Sequence, residues 1–236
     1  MIMIDYSEFC PKTEFQVGGT CYAYAVAYTA YSTQYNILNG IKDRARIERD
    51  AFSYMYVASV VRRIYLPFHK RIFDVHCSWL GTAEKSLATL KDWGCTMISE
   101  HDYSCQDGVK LSDVQLAEKH KIKDYKTITS DYIFSDDAIT LIVDELKKGV
   151  PVCTAIFSTE EFHENKASQM TLTNLNENQV QSNHVVCIVG FDEKQFDGKG
   201  AYLVKNNYDG WGKDGFCWIR CSDFMHLIEE SYSIVI

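Results

Sequence analysis

The stretch Gly18-Gly19-Thr20-Cys21-Tyr22-Ala23-Tyr24-Ala25-Val26-Ala27-Tyr28-Thr29-Ala30-Tyr31 decides how the rest of the chain is read. The glycine pair makes a tight loop, and the alanines after it, with neither Gly nor Pro among them, suit a buried helix. Cys21 then falls in the first turn of that helix. A thiol there feels the positive end of the helix dipole and the unpaired backbone N–H groups, both of which favour thiolate over thiol. Cys21 is therefore the candidate nucleophile, and the question becomes whether the chain supplies a base.

Outward from this helix the first half stays helical. A second helix is expected over about Ile47 to Tyr65, with Phe52, Met55, Tyr56, Ser59 and Val60 at helical spacing and Pro67 ending it. A third runs from about Thr82 to Trp93, with Ala83, Leu87 and Leu90 on one face and Gly94 as C-cap. Beyond Lys126 the texture changes. One more helix near Asp137 to Lys148 precedes strand-like runs at Val150–Phe157, His184–Gly190, Ala201–Lys205 and Phe216–Arg220. Helices followed by strands make an α+β chain with a cleft between two lobes, and 236 residues suit one domain of two lobes.

Two segments of the second half match what a thiol nucleophile needs. One is a histidine heading a strand, Ser182-Asn183-His184-Val185-Val186. The other is an amide in Lys205-Asn206-Asn207-Tyr208-Asp209-Gly210-Trp211-Gly212, where Asn206 and its neighbour Asn207 compete for one role. The order Cys, His, Asn resembles the papain-like cysteine peptidases. So do Gln16 with Gly18-Gly19-Thr20-Cys21-Tyr22-Ala23, the loop Cys77-Ser78-Trp79-Leu80-Gly81, the run Ser99-Glu100-His101-Asp102-Tyr103, and Gly210-Trp211-Gly212 with Gly215-Phe216.

That resemblance implies a papain-like two-lobed fold, with a helical lobe over about 14–125, a β-rich lobe over about 126–232, and the site in the cleft. It implies roles as well. Cys21 is the nucleophile, His184 the base, Asn206 the residue that orients the imidazole, and Gln16, separated from Cys21 by only four residues, an oxyanion-hole donor with the backbone N–H of Cys21. Tyr208 and Trp211 would cover the His–Asn bond. Gly81, Ala155, Asn183, Trp211 and Glu229 would touch substrate, with Glu229 at the floor of the pocket for the side chain next to the cleaved residue. Cys21 lies further from His184 and Asn206 than the about 130–150 residues of the family pattern, so surface-loop insertions are expected around Asn36 to Asp50 and Lys119 to Asp137. The implied activity is peptide hydrolysis by an endopeptidase through a Cys21 acyl-enzyme. The same triad order also serves acyltransferases and ubiquitin-type hydrolases, and a papain fold can persist as a catalytically silent binding protein.

Composition narrows the partners. A net charge of −8 without long single-sign blocks offers no footprint for nucleic acid or an anionic membrane, and no apolar run is long enough to span a bilayer. A monomer acting on protein or peptide substrates is expected, without cofactor or metal, because His69, His76, His101 and His163 show no paired ligand spacing. The nine cysteines contain no CxxC. Each disulfide recurrent in secreted members of the family lacks a partner here, which points to the cytoplasm or another reducing compartment, with delivery into another cell left open. Only 15 residues precede Gln16, so no inhibitory propeptide is expected within the chain.

Overall fold

The structure, a computed structural model, describes residues 2–71, 81–101, 104, 108–130, 136–173 and 180–236. Helix α1 begins as Cys21–Ala23, widens into a π-helix over Tyr24–Tyr31 and closes as Ser32–Leu38. Every residue of its π-helical stretch is buried, so it has no polar face to show a helical period. Around it pack α3 (Tyr54–Tyr65) and α4 (Ala83–Asp92), after the short helix α2 (Arg44–Arg49). Side-chain caps start these three: Asp43 accepts from Arg46 N–H at 2.8 Å, and Ser53 and Thr82 accept from Tyr56 and Lys85 N–H at 3.2 Å. Gly94, at φ +77°, closes α4, where a Cβ would collide with the Ala117 carbonyl at the end of α5 (Leu111–Ala117).

The expected single helix over 47–65 is broken. Phe52 bridges Met97, Ser53 N–H donates to the Thr96 carbonyl, and Ile98 N–H donates to that of Ala51. A partner more than 40 residues away claims the backbone of 51–53, and helix restarts at the Ser53 cap. The two expected insertions are not simple loops either. Residues 36–50 include α2, and 119–137 include β2 (Asp124–Ser130), an edge strand of the sheet.

The second half adds α6 (Asp136–Lys147), β3 (Val152–Thr159), α7 (Glu160–His163), β4 (Gln169–Met170), β5 (Val180–Asp192), β6 (Ala201–Lys205), β7 (Phe216–Arg220), α8 (Cys221–Met225) and β8 (Ile228–Val235). The eight-stranded sheet runs β2-β8-β3-β5-β6-β7-β4, with β1 (Met3–Asp5) pairing antiparallel to the end of β5. Period-two alternation along β5 splits the core. Val185, Cys187 and Val189 face the α1–α3–α4 cluster, while Val186 and Ile188 join Ile142, Phe162, Phe224 and Trp211 on the other side. The sheet thus fixes which face each side chain of β5 presents.

Candidate active site

His184 stands near the head of β5, opposite Ile156 of β3 in the ladder. It is 2% exposed, and its Nε2 lies 2.8 Å from Asn206 Oδ1, just beyond the end of β6. Asn207 N–H also donates to that Oδ1 at 2.8 Å, which fixes the Asn206 amide with its oxygen toward the ring. A carbonyl oxygen only accepts, so Nε2 carries the proton and Nδ1 presents a lone pair. The competition between Asn206 and Asn207 is thereby decided in geometry: Asn206 meets the imidazole.

Cys21 opens α1 and is 7% exposed. The Thr20 side chain makes no cap and donates instead to the Val17 carbonyl at 2.8 Å. Burial raises the Cys21 thiol above its ordinary value, opposed by hydrogen bonding from the backbone of Val185, then of Tyr22. The Val185 contact brings the sulfur to the backbone of the residue after His184. Gly81 packs against the residue after Cys21, since a Cβ there would stand 2.6 Å from the Tyr22 ring.

Burial holds the His184 imidazole down to about 4, partly offset by the Asn206 bond, with His163 lowering it further. Desolvation therefore opposes a lone thiolate and a lone imidazolium alike. Transfer of one proton from Cys21 to Nδ1 creates both charges together, and each offsets the other's cost.

The aromatic cover differs from expectation. Tyr208 stacks on His184, ring centroids 4.4 Å apart and planes 19° apart, and lies near enough to Cys21 that a thiolate there adds to the upward push of burial on its own hydroxyl. Trp211 is buried behind Phe162, to whose carbonyl its indole N–H donates at 2.6 Å. It supports the site from within and has no face for substrate, which corrects its expected contact role. The residue that sequence reasoning passed over is His163. It stacks on Tyr208 at 5.0 Å, stands 6.2 Å from the His184 ring, and pairs through Nε2 with Ser158 Oγ at 2.8 Å. Only the tertiary fold brings the end of α7 to β5, so no local motif marks it.

Gln16 reaches the site through its loop. Its N–H donates to the Asn207 carbonyl at 3.2 Å, its Oε1 accepts from Asn207 Nδ2, and its Nε2 donates to the Gly18 carbonyl at 2.9 Å. The same loop is anchored by Glu14 N–H donating to Tyr24 OH at 2.5 Å and by Thr13 Oγ1 donating to the Asp214 carbonyl at 2.7 Å. Below it Lys205 is fully buried. Its Nζ donates to Thr13 Oγ1 at 3.0 Å and sits 4.5 Å from the Phe216 ring centroid, and burial lowers it to about 8.

Of the expected pocket residues, Ala155 pairs across the sheet with Val185 on one side and Glu230 on the other. The β3–β8 register slips between Ala155 and Ile156, so Glu229 is the extra residue of a bulge, half-buried beside Ala155, with burial and then Glu230 raising its carboxyl. Asn183, opposite Phe157, is exposed. The Cys77 to Leu80 part of the expected loop, Asp102, Tyr103 and Cys105 lie outside the described residues. Among the described residues no helix is long and apolar enough to cross a membrane, and no His/Cys/Asp/Glu group could hold a metal ion.

The family model "Papain family cysteine protease" matches residues 72–236. That span includes His184 and Asn206, while Gln16 and Cys21 precede it. Among solved structures, xylellain, a cysteine protease from Xylella fastidiosa, is similar at TM-score 0.74 and 16% identity, covering 99% of this chain and 85% of that one. The bromelain protease of Ananas comosus, in complex with the E64 inhibitor, gives 0.71 and 16%, over 99% and 98%. Digestive procathepsin L 3 of Tenebrio molitor larval midgut gives 0.72 and 16%, over 100% and 70%. At this identity the likenesses establish the fold. Among curated protein sequences, no relative matches the chain.

Proposed function

The chain belongs to the papain family of cysteine proteases, and from that premise we propose that it cleaves peptide bonds as an endopeptidase with Cys21 as nucleophile, His184 as base and Asn206 as orienting residue. The carrying observation is the oriented imidazole, with Nε2 tied to Asn206 Oδ1 and Nδ1 left as acceptor, next to the backbone that Cys21 Sγ approaches. In this reading the Cys21 proton passes to Nδ1 as sulfur attacks the scissile carbonyl. The oxyanion develops toward Gln16 Nε2 and the Cys21 N–H, and His184 then gives its proton to the leaving amine. Water, deprotonated by His184, hydrolyses the thioester and restores the thiol.

A fluorogenic peptide assay on purified protein, with an epoxide active-site probe, tests this. Stoichiometric labelling of Cys21 that abolishes turnover is expected, and labelling elsewhere, or turnover surviving it, would overturn the assignment.

Glu229 carries the specificity part of the reading. A bulge beside Ala155 presents its half-buried carboxyl, where it would favour an arginine next to the cleaved residue by a charge-assisted pair, roughly tenfold over leucine. A substrate series varying that position between Arg, Leu, Phe and Val, run on wild type and Glu229→Ala, decides it. An arginine preference lost on substitution is expected; a leucine preference unchanged by it would sink the idea.

A further inference from the structure

We infer that Asn207 is a positioning residue that sets the orientation of the Gln16 amide, an inference resting on the peptidase reading above. Asn207 is 1% exposed although it lies in the loop that follows β6. Three of its polar groups are directed at the site: N–H to Asn206 Oδ1, carbonyl to Gln16 N–H, and Nδ2 to Gln16 Oε1. It therefore touches both halves of the constellation, the amide that orients the imidazole and the amide that would receive the oxyanion.

The need for such a residue follows from the chemistry of a glutamine side chain. Its amide can turn over, exchanging a donor for an acceptor at nearly the same place, and only one of the two orientations can stabilise an oxyanion. Asn207 meets the Gln16 amide with its Nδ2 on Oε1, a sense that a fixed acceptor on the other side selects for both amides. The Gly18 carbonyl is an acceptor and can face only Nε2, where it uses one of two protons. Together they hold the amide in a single sense and leave the second Nε2 proton for the substrate. The loop itself would not do this, because the segment to Cys21 holds Gly18, at φ +58°, and Gly19, the residues with most backbone freedom. Removing an oxyanion-hole donor outright typically costs about 10²–10³ in rate. Releasing it to turn over should cost less, about 10- to 100-fold in kcat, with KM little changed because the ground-state carbonyl gains little from the donor.

The test uses Asn207→Ala, the near-isosteric Asn207→Asp, Gln16→Ala and the Gln16→Ala/Asn207→Ala double variant. Three readouts apply: peptide turnover, inhibition by a peptide aldehyde, and alkylation of Cys21 by iodoacetamide. The aldehyde carbon bonds to Cys21 sulfur and its oxygen occupies the oxyanion position, whereas alkylation by displacement of iodide builds no oxyanion. Both Asn207 variants should lose about 10- to 100-fold in kcat and in aldehyde affinity at unchanged alkylation rate, and the double variant should be no worse than Gln16→Ala. Parallel loss of alkylation would assign Asn207 to the His184–Asn206 pair and overturn the proposal, as would losses that multiply in the double variant. Asn207 variants that stay active while Gln16→Ala is impaired overturn the clamp alone. A silent Gln16→Ala removes the proposal together with its premise.

Discussion

His184 and Cys21, the proposed base and nucleophile, are carried by elements held in opposite ways. His184 rides on a strand whose register is set across the sheet, its ring hydrogen-bonded to Asn206 and stacked on Tyr208. Cys21 follows an irregular loop, at a helix start whose Thr20 side chain caps nothing, and that loop is tied down by scattered bonds from Glu14, Gln16 and Thr13. The base side is set by ladder and packing, the nucleophile side by a few tertiary hydrogen bonds. Disturbing the first should cost stability as well as rate, and disturbing the second mainly rate.

The largest effects test that contrast most directly. Cys21→Ala and His184→Ala should each lower kcat/KM by at least about 10⁴-fold. Only His184→Ala should also lower unfolding stability clearly, by about 1–3 kcal/mol, because it empties a buried stack and removes a hydrogen-bonded group. Equal unfolding midpoints for the two variants in urea would dissolve the distinction.

A pH effect sharpens it. His184 is held at about 4 in the folded chain against an ordinary 6.5, so the unfolded chain binds the extra proton first. The neutral imidazole costs nothing above about pH 6.5. As pH falls from there toward about 4, stability should decline by about 3 kcal/mol from this group. In a Cys21→Ser variant, where no thiolate can hold the imidazolium, NMR should show His184 neutral down to about pH 4; a midpoint near 6.5 would contradict the burial argument.

The smallest effect on rate comes not from the loop bonds but from the packing against Tyr22, the residue after Cys21. Gly81→Ala puts a methyl group 2.6 Å from the buried Tyr22 ring and should cost about 1–3 kcal/mol by overpacking. Activity per folded molecule should fall severalfold, since Tyr22 adjoins Cys21, while the His184 titration stays where it was. A Gly81→Ala protein with wild-type stability would show that the ring can yield.

How far the sequence could be read follows the range of the interactions involved. Gly18-Gly19-Thr20-Cys21, the Thr82 cap and Gly94 act within a few residues and are legible locally. The segments that hold Cys21, His184 and Asn206 are legible because strand heads and turns leave short signatures, and the fold then sets Asn206 against His184 and the Cys21 sulfur against the Val185 backbone. What escaped depends on distant partners. The break at 51–53 is made by 96–98, and β2 is a strand only because β8 pairs with it. The place of Trp211 behind Phe162 needs α7, and the place of His163 needs the α7 end beside β5. No periodicity encodes such meetings.

Lys205 gives the loop that carries Gln16 a clock. The Lys205 amine, lowered to about 8 by burial, is sealed beneath Thr13 and Phe216 and out of reach of acylating reagents while the loop is closed. Its reaction with such a reagent therefore counts the moments at which the loop lifts. Mass-spectrometric labelling of Lys205 against time would measure how often the loop that carries Gln16 opens in the folded protein, with no substrate present.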